Sequence, residues 1–106
     1  MKRIKRRYLA LQIDIDGAPS RKEFMDAVWS AVVKLYGEYG ASLTSLVLID
    51  YVSEKKTAVI RTSLATLDLV RASLASITCL ADRDAAVHVL AVSGTIKALC
   101  KTLKLS

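Results

Sequence analysis

Residues 8–23 read YLALQIDIDGAPSRKE and contain a strand, a break and the start of a helix. From Tyr8 to Asp16 an apolar residue stands at every second position, which is the period of a strand with one buried face. The following Gly-Ala-Pro interrupts that period. Ser20 with Glu23 three residues later forms a capping box, which is typical of a helix N-terminus. We therefore expect a strand that passes directly into a helix.

The rest of the chain continues the alternation of strands and helices. The first helix should run to about Tyr36 and end at Gly37 or Gly40. The later elements are expected in this order: a strand at Leu43–Val52 that is dry on both faces, a strand at Thr57–Arg61, a helix capped by Ser63 or Thr66, a loop at Asp82–Asp84, a strand at Ala85–Val92 and a helix at Thr95–Leu105.

This βαββαβ order predicts an α+β fold. With right-handed crossovers it gives a ferredoxin-like or RNA-recognition-motif-like arrangement, a four-stranded antiparallel sheet with helices on one face. The third helix is an additional C-terminal element. At 106 residues the chain is expected to form a single domain, residues 1–106.

Positive charge is concentrated at the start of the chain, in a basic tail at residues 1–7. The formal net charge is +6. The tail carries Lys2, Arg3, Lys5, Arg6 and Arg7, which leaves eleven cations against ten acids in the remainder. Such a run is typical of a solvated terminus, and it also attracts phosphates. Both interpretations stay open on charge alone.

Membrane insertion and secretion are not expected from the sequence. No apolar run approaches the length of about 18 residues that a membrane helix needs. The segment after the basic start alternates apolar and polar residues, unlike a signal peptide. Cys79 and Cys100 form no recognisable motif, and we expect both to be reduced and buried. The predicted location is the cytoplasm.

No residues are predicted to be catalytic or to bind a metal or cofactor. The one histidine, His88, has no cysteine or acid at a metal-like spacing. The four glycines do not form a phosphate-cradling loop. Whether the protein belongs to an enzyme therefore depends on what it assembles with.

The first helix has an apolar arc that is wider than one sheet contact requires. Trp29 and Tyr36 belong to a second apolar stripe on this helix. The helix is either deeply buried, or these two aromatic residues lie at a protein interface, where such side chains are enriched. We regard Trp29 and Tyr36 as candidate partner-interface residues.

The segment Ser93-Gly94-Thr95-Ile96-Lys97 leads from the last strand into the third helix. A glycine there allows a sharp exit, and Ser93 or Thr95 can cap the helix. Backbone N–H groups at a helix start favour an anion, which Lys97 can reinforce. The helix should be two-sided, with Ile96, Leu99, Cys100 and Leu103 on one stripe and Lys97, Lys101 and Lys104 on another.

Three segments together resemble ribonuclease P protein component 2, an archaeal family with a eukaryotic counterpart shared by ribonuclease P and MRP. They are Lys5–Leu9, Ile60–Ser63 leading into Leu67–Ala72, and Val92–Lys97. The similarity spans nearly the whole chain in the right order. Two glycines that the family pattern suggests are absent, one before Ile60 and one in the loop at Asp82–Asp84.

The resemblance implies a non-catalytic role in removing the 5′ leader from precursor tRNA, within a ribonucleoprotein whose RNA does the cleavage. It implies ribonuclease P RNA and protein component 3 as partners, and precursor tRNA as an indirect partner. Self-association is also expected, because the chain has excess apolar surface. The expected RNA-binding residues are Lys2, Arg3, Lys5, Arg6, Arg7, Tyr8, Arg61, Ser93, Gly94, Thr95, Lys97, Lys101 and Lys104.

One alternative from a different functional class fits the same order of elements. It is a small-molecule-sensing regulatory domain that acts as a dimer and holds its ligand between strands and helices. That alternative leaves the basic tail without a role.

Overall fold

The computed structural model describes residues 5–17 and 19–103, with the backbone alone for residues 100–103. The strands are β1 (Arg6–Ile15), β2 (Val47–Val52), β3 (Thr57–Ser63), β4 (Cys79–Leu80) and β5 (Arg83–Ser93). The helices are α1 (Arg21–Ser42), α2 (Leu67–Ala75) and α3 (Ile96–Leu103), and a short 3₁₀ turn at Leu64–Thr66 precedes α2. None of the helices in these ranges is long and apolar enough to cross a membrane.

The predicted α+β class is confirmed, but the sheet has five strands instead of four. All neighbours are antiparallel, in the order β2-β3-β1-β5-β4. The additional strand β4 forms a hairpin with the start of β5, where a loop was predicted. Ala81 and Asp82 make its two-residue turn, and both have positive φ, 53° and 63°. The residues that usually form such a turn are Asn-Gly or Asp-Gly, and neither pair stands at positions 81 and 82.

The main core lies between one face of the sheet and the two helices α1 and α2. The alternating residues Leu9, Leu11, Ile13 and Ile15 of β1 are all buried, as the period of two predicts. They pack in one cluster with Phe24 and Val28 of α1 and with Val70 and Leu74 of α2. The sequence pattern therefore placed the buried face of β1 correctly.

Helix α1 begins and breaks where the sequence predicted, but a second helical segment follows the break. The capping box is present: Ser20 Oγ accepts from the Glu23 N–H at 3.1 Å, and Glu23 Oε1 accepts from the Ser20 N–H at 2.9 Å. Gly37 interrupts the helix at the predicted position. It has φ 77° and ψ 172°, which kinks the chain, and a further helical segment continues to Ser42.

The later end of α1 shortens the next strand, which begins at Val47 and not at Leu43. The expectation that this strand is dry on both faces was wrong. β2 is an edge strand, and Val47 and Val52 are 41% and 36% exposed. Strand β5 is also open to solvent in part, because His88 and Leu90 are exposed.

Helix α3 packs against β5 and β1. Leu99 is fully buried, and so is Ala10 of β1, yet neither belongs to the main core cluster. Ala10 points to the opposite side of β1 from Leu9 and Leu11. We therefore call the face that carries Ala10 the second face of the sheet, and α3 covers part of it. Ile96 is 41% exposed and does not join the buried stripe as predicted.

The predicted cap of α2 was wrong in its bonding, because neither Ser63 nor Thr66 makes a side-chain cap hydrogen bond. Their hydroxyl oxygens instead lie 2.6 Å apart, and Thr66 Oγ1 is also 3.1 Å from Thr62 Oγ1. The Thr62 hydroxyl donates to the Thr44 carbonyl at 2.7 Å. This buried hydroxyl cluster joins the end of β3 to the segment after α1. Elsewhere, Cys79 is a free cysteine, but it is exposed and not buried as expected.

Candidate nucleic-acid interface

Four strand ends and the starts of two helices meet at one end of the sheet. β1 begins there, while β3 and β5 finish there, because both run antiparallel to β1. Tyr8 lies opposite Arg61 on one side and opposite Ser93 on the other. We call this region the basic end, and its described cations are Lys5, Arg6, Arg7, Arg61 and Lys97.

The basic tail is partly built into the sheet. Arg6 and Arg7 are the first residues of β1, opposite Ser63 and Thr62. The Lys5 carbonyl accepts from the Leu64 N–H at 2.7 Å, which ties this residue to the start of the 3₁₀ turn. Lys5, Arg6 and Arg7 are therefore held at a fixed place relative to β3.

Gly94 lies close to the side chain of Arg7. A Cβ atom at this position would lie 3.4 Å from Arg7 Nη1 and 3.8 Å from its Cζ. The Arg7 Nη1 group donates to the Arg6 carbonyl at 2.9 Å. The two distances from such a Cβ atom are ordinary van der Waals distances, and they place the Arg7 guanidinium beside the turn that starts α3.

The start of α3 has the cap that the sequence predicted. Thr95 Oγ1 accepts from the Ala98 N–H at 3.1 Å. A longer contact of 3.4 Å joins the Thr95 N–H to Ser93 Oγ. The first N–H groups of a helix carry partial positive charge, so an anion is favoured at this point, beside Lys97.

Acidic residues collect at the opposite end of the sheet, which we call the far end, where β1 finishes and β5 begins. They are Asp14, Asp16, Glu23, Asp50, Glu54, Asp82 and Asp84. Two of the cations there have structural partners: Arg83 Nη1 donates to the Asp16 carbonyl at 2.6 Å, and Lys56 Nζ donates to the Ile15 carbonyl. Asp68, in the first turn of α2 just after β3, also lies near the basic end, but the five described cations there outnumber it, so the charge presented to a ligand is positive.

Two titratable groups at the far end are shifted by their surroundings. The hydrogen bond from the Ser20 backbone holds the pKa of Glu23 below its ordinary value. Burial raises the pKa of Tyr51, whose hydroxyl donates to the Pro19 carbonyl. The Tyr51 ring stacks on Phe24 with 5.7 Å between ring centroids. Both groups serve the junction between β1 and α1.

The two candidate interface aromatics lie on α1. Trp29 and Tyr36 are 44% and 42% exposed. Trp29 lines a shallow surface cavity with Ser30, Val33, Lys34 and Glu38. Sequence reasoning missed Tyr39 and Leu43, which are 75% and 52% exposed and follow the Gly37 kink. Both residues lie beyond the predicted end of the first helix, so its periodicity gave no signal for them.

Most of the predicted RNA-binding residues come together in space. Lys5, Arg6, Arg7, Tyr8, Arg61, Ser93, Gly94, Thr95 and Lys97 all lie at the basic end. Lys2, Arg3 and Lys104 lie outside the described residues, as does the side chain of Lys101. Within the described part of the chain, no group of three His, Cys, Asp or Glu residues could hold a metal ion.

The fold and this region define a small α+β protein whose five-stranded sheet carries cations at one end and acids at the other. The chain belongs to the Rpp14/Pop5 family, whose model matches residues 7–104. It is thus a member of a family of ribonuclease P protein subunits, and the suspected resemblance is confirmed.

Curated archaeal relatives are similar over most of the chain. Ribonuclease P protein component 2 of Methanobrevibacter smithii is 33% identical over 105 residues, covering 92% of this chain and 88% of the relative. The proteins of the same name from Pyrococcus abyssi and Methanosarcina mazei are 31% and 33% identical, covering 93% and 90% of this chain and 84% and 80% of the relatives.

A solved structure shares the fold. A chain in the cryo-EM structure of yeast ribonuclease MRP superposes with a TM-score of 0.74 at 16% identity. The match covers 99% of this chain and 93% of the yeast chain.

Proposed function

We propose that this protein is a non-catalytic subunit of ribonuclease P that binds the catalytic RNA and supports removal of the 5′ leader from precursor tRNA. The observation that carries the proposal is the basic end. There the start of β1, the end of β3 and the start of α3 bring five cations to one place, with the acids at the far end. Precursor tRNA would be an indirect partner, reached through the catalytic RNA.

The chemistry of the basic end suits a phosphate backbone. Lys5, Arg6 and Lys97 are exposed and supply charge, while the start of α3 supplies oriented N–H groups. The second face offers Tyr8 as its described aromatic at this end, and Tyr8 is half-buried. Contacts to phosphates position a protein on RNA without reading sequence, so we expect affinity with little sequence preference.

Protein component 3 is the proposed protein partner, and the exposed apolar residues of α1 are its proposed contact. Trp29 and Tyr36 are joined there by Tyr39 and Leu43. Large exposed apolar side chains in a small protein are typical of an interaction surface, and they also favour self-association of the isolated subunit. The proposed location of the assembly is the cytoplasm.

The sensing-domain alternative requires ligand space between sheet and helices. In the described structure that space is filled by fully buried side chains, including Phe24 and Val28. No observation therefore favours it over RNA binding.

The proposal is tested by precursor-tRNA cleavage with an archaeal ribonuclease P RNA, with and without this protein and component 3. Arg6→Ala with Lys97→Ala should reduce RNA affinity and RNA-dependent activity, and the log–log salt slope of binding should fall by about 2 units if both residues contact phosphates. The melting temperature should stay within a few degrees, because exposed cations contribute little to folding.

The matched control is Arg21→Ala with Lys22→Ala, which removes two exposed cations from the start of α1, at the far end. That variant should bind RNA with nearly the wild-type slope. Equal losses in the two double variants would show that binding does not use the basic end. Fluorescence of Trp29, the single tryptophan, should shift to shorter wavelength when component 3 is added, and no shift would remove Trp29 from the partner contact.

A further inference from the structure

Arg61 has a buried nitrogen without a hydrogen-bond partner. It lies in β3, between Tyr8 of β1 and Val47 of β2. Its chain neighbours Ile60 and Thr62 are fully buried on the helix side, so Arg61 projects onto the second face. Its Nε atom is shielded from solvent and has no acceptor.

An unpaired Nε–H is costly in this position. A guanidinium stays protonated in proteins, so Arg61 cannot relieve the cost by losing its proton. A buried donor without an acceptor loses its bonds to water and gains nothing in return. A native structure that keeps such a donor calls for an acceptor that arrives from outside.

The neighbouring charges do not supply that acceptor. Asp50 shares the second face on β2, but its Oδ1 accepts from the Tyr51 N–H at 2.9 Å, and no ion pair joins it to Arg61 within the described residues. On the other side Arg6 is two residues before Tyr8 on the same face of β1, diagonal to Arg61. Two guanidinium groups thus stand on one face of the sheet and favour an anion between them.

We propose that the Arg61 side chain turns on RNA binding, so that its Nε–H, shielded in the free protein, and an adjacent Nη–H reach one phosphodiester group of the RNA, with Arg6 beside it. This inference rests on the proposed function and adds a specific desolvated contact to it. Two parallel N–H donors match two phosphate oxygens, a geometry that lysine cannot provide. Because Nε is unpaired in the free protein, the residue weakens folding and strengthens binding.

The test compares Arg61→Met and Arg61→Lys in the full chain, with binding to a transcribed archaeal ribonuclease P RNA measured by fluorescence anisotropy across salt concentrations. Arg61→Met should weaken binding by about ten- to a hundredfold and lower the salt slope by about 1 unit. Arg61→Lys should keep the slope and still lose affinity, because it keeps the charge without the two-donor geometry. Arg61→Met should melt at the wild-type temperature or above it, since it removes the unpaired donor and keeps the apolar stem.

A second RNA of unrelated sequence separates a phosphate contact from a base contact, because a phosphate contact predicts the same loss for both RNAs. Arg71→Met is the matched control, since Arg71 is exposed on α2, across the sheet from the second face, and its loss should leave affinity unchanged. Full affinity in Arg61→Met or Arg61→Lys, a loss confined to one RNA, or a clear fall in the melting temperature of Arg61→Met would each overturn the inference. If wild-type protein fails to bind either RNA, the proposed function fails as well.

Discussion

Replacing Gly17 with alanine should destabilise the protein through two separate effects. Gly17 has φ +84°, a backbone conformation that costs an L-residue about 1 to 2 kcal/mol. A Cβ atom there would also lie 2.2 Å from Arg83 Nη1. The Arg83 side chain can swing away, but it then gives up its bond to the Asp16 carbonyl, worth about 0.5 to 1.5 kcal/mol. We expect Gly17→Ala to lower the free energy of unfolding by about 2 to 3 kcal/mol.

A double-mutant cycle separates the two effects. Arg83→Ala alone should cost about 1 kcal/mol, and Gly17→Ala should then cost only the backbone term, because no guanidinium remains to be displaced. Urea denaturation followed by circular dichroism measures all four proteins. Equal costs of Gly17→Ala in the two backgrounds would refute the Arg83 contact, and a cost below about 0.5 kcal/mol would refute the positive φ as well. RNA affinity should not change, since both residues lie at the far end.

Two further predictions concern one side chain of α3 and one of α1. Leu99→Asp should lower the free energy of unfolding by about 2 kcal/mol or more, because Leu99 is fully buried. Ile96→Asp, on the exposed part of α3, should lower it far less. Similar melting temperatures for the two variants would show that α3 does not depend on Leu99. Glu23→Gln should make stability less dependent on acid pH. The pKa of Glu23 is lowered from 4.5 in the folded protein, so its contribution is present above that value and lost as pH falls through the lowered pKa. This linkage is contradicted if the free energies of unfolding of the two proteins fall in parallel between about pH 6 and about pH 3.

The sequence predicted most elements of the fold because their signals are local. Alternation in β1 and the box of Ser20 with Glu23 are set by neighbouring residues, and both are present in the structure. The β4–β5 hairpin was missed because Ala81 and Asp82 adopt positive φ without a glycine. The extension of α1 past Gly37 was missed because a glycine can kink a helix as well as end it.

The sequence singled out most residues of the basic end but not their arrangement in space. The cations of the tail and of Ser93–Lys97 could be picked out from charge and from helix capping. The position of Arg61 beside Tyr8, and the buried state of its Nε, depend on strand register and on the packing of three strands. Register depends on how the strands pair in the folded sheet, and a strand-by-strand reading of the sequence does not reveal it.

The separation of cations and acids along the strands gives the molecule a permanent electric dipole, although the body beyond the tail is nearly neutral. In the field of a polyanion such a dipole experiences a torque before any contact forms, and the molecule turns its positive pole forward. A larger share of collisions then begins in a productive orientation. Association should therefore be fast at low ionic strength and slow steeply once the Debye length, about 8 Å at 0.15 M salt, becomes short against the length of the sheet.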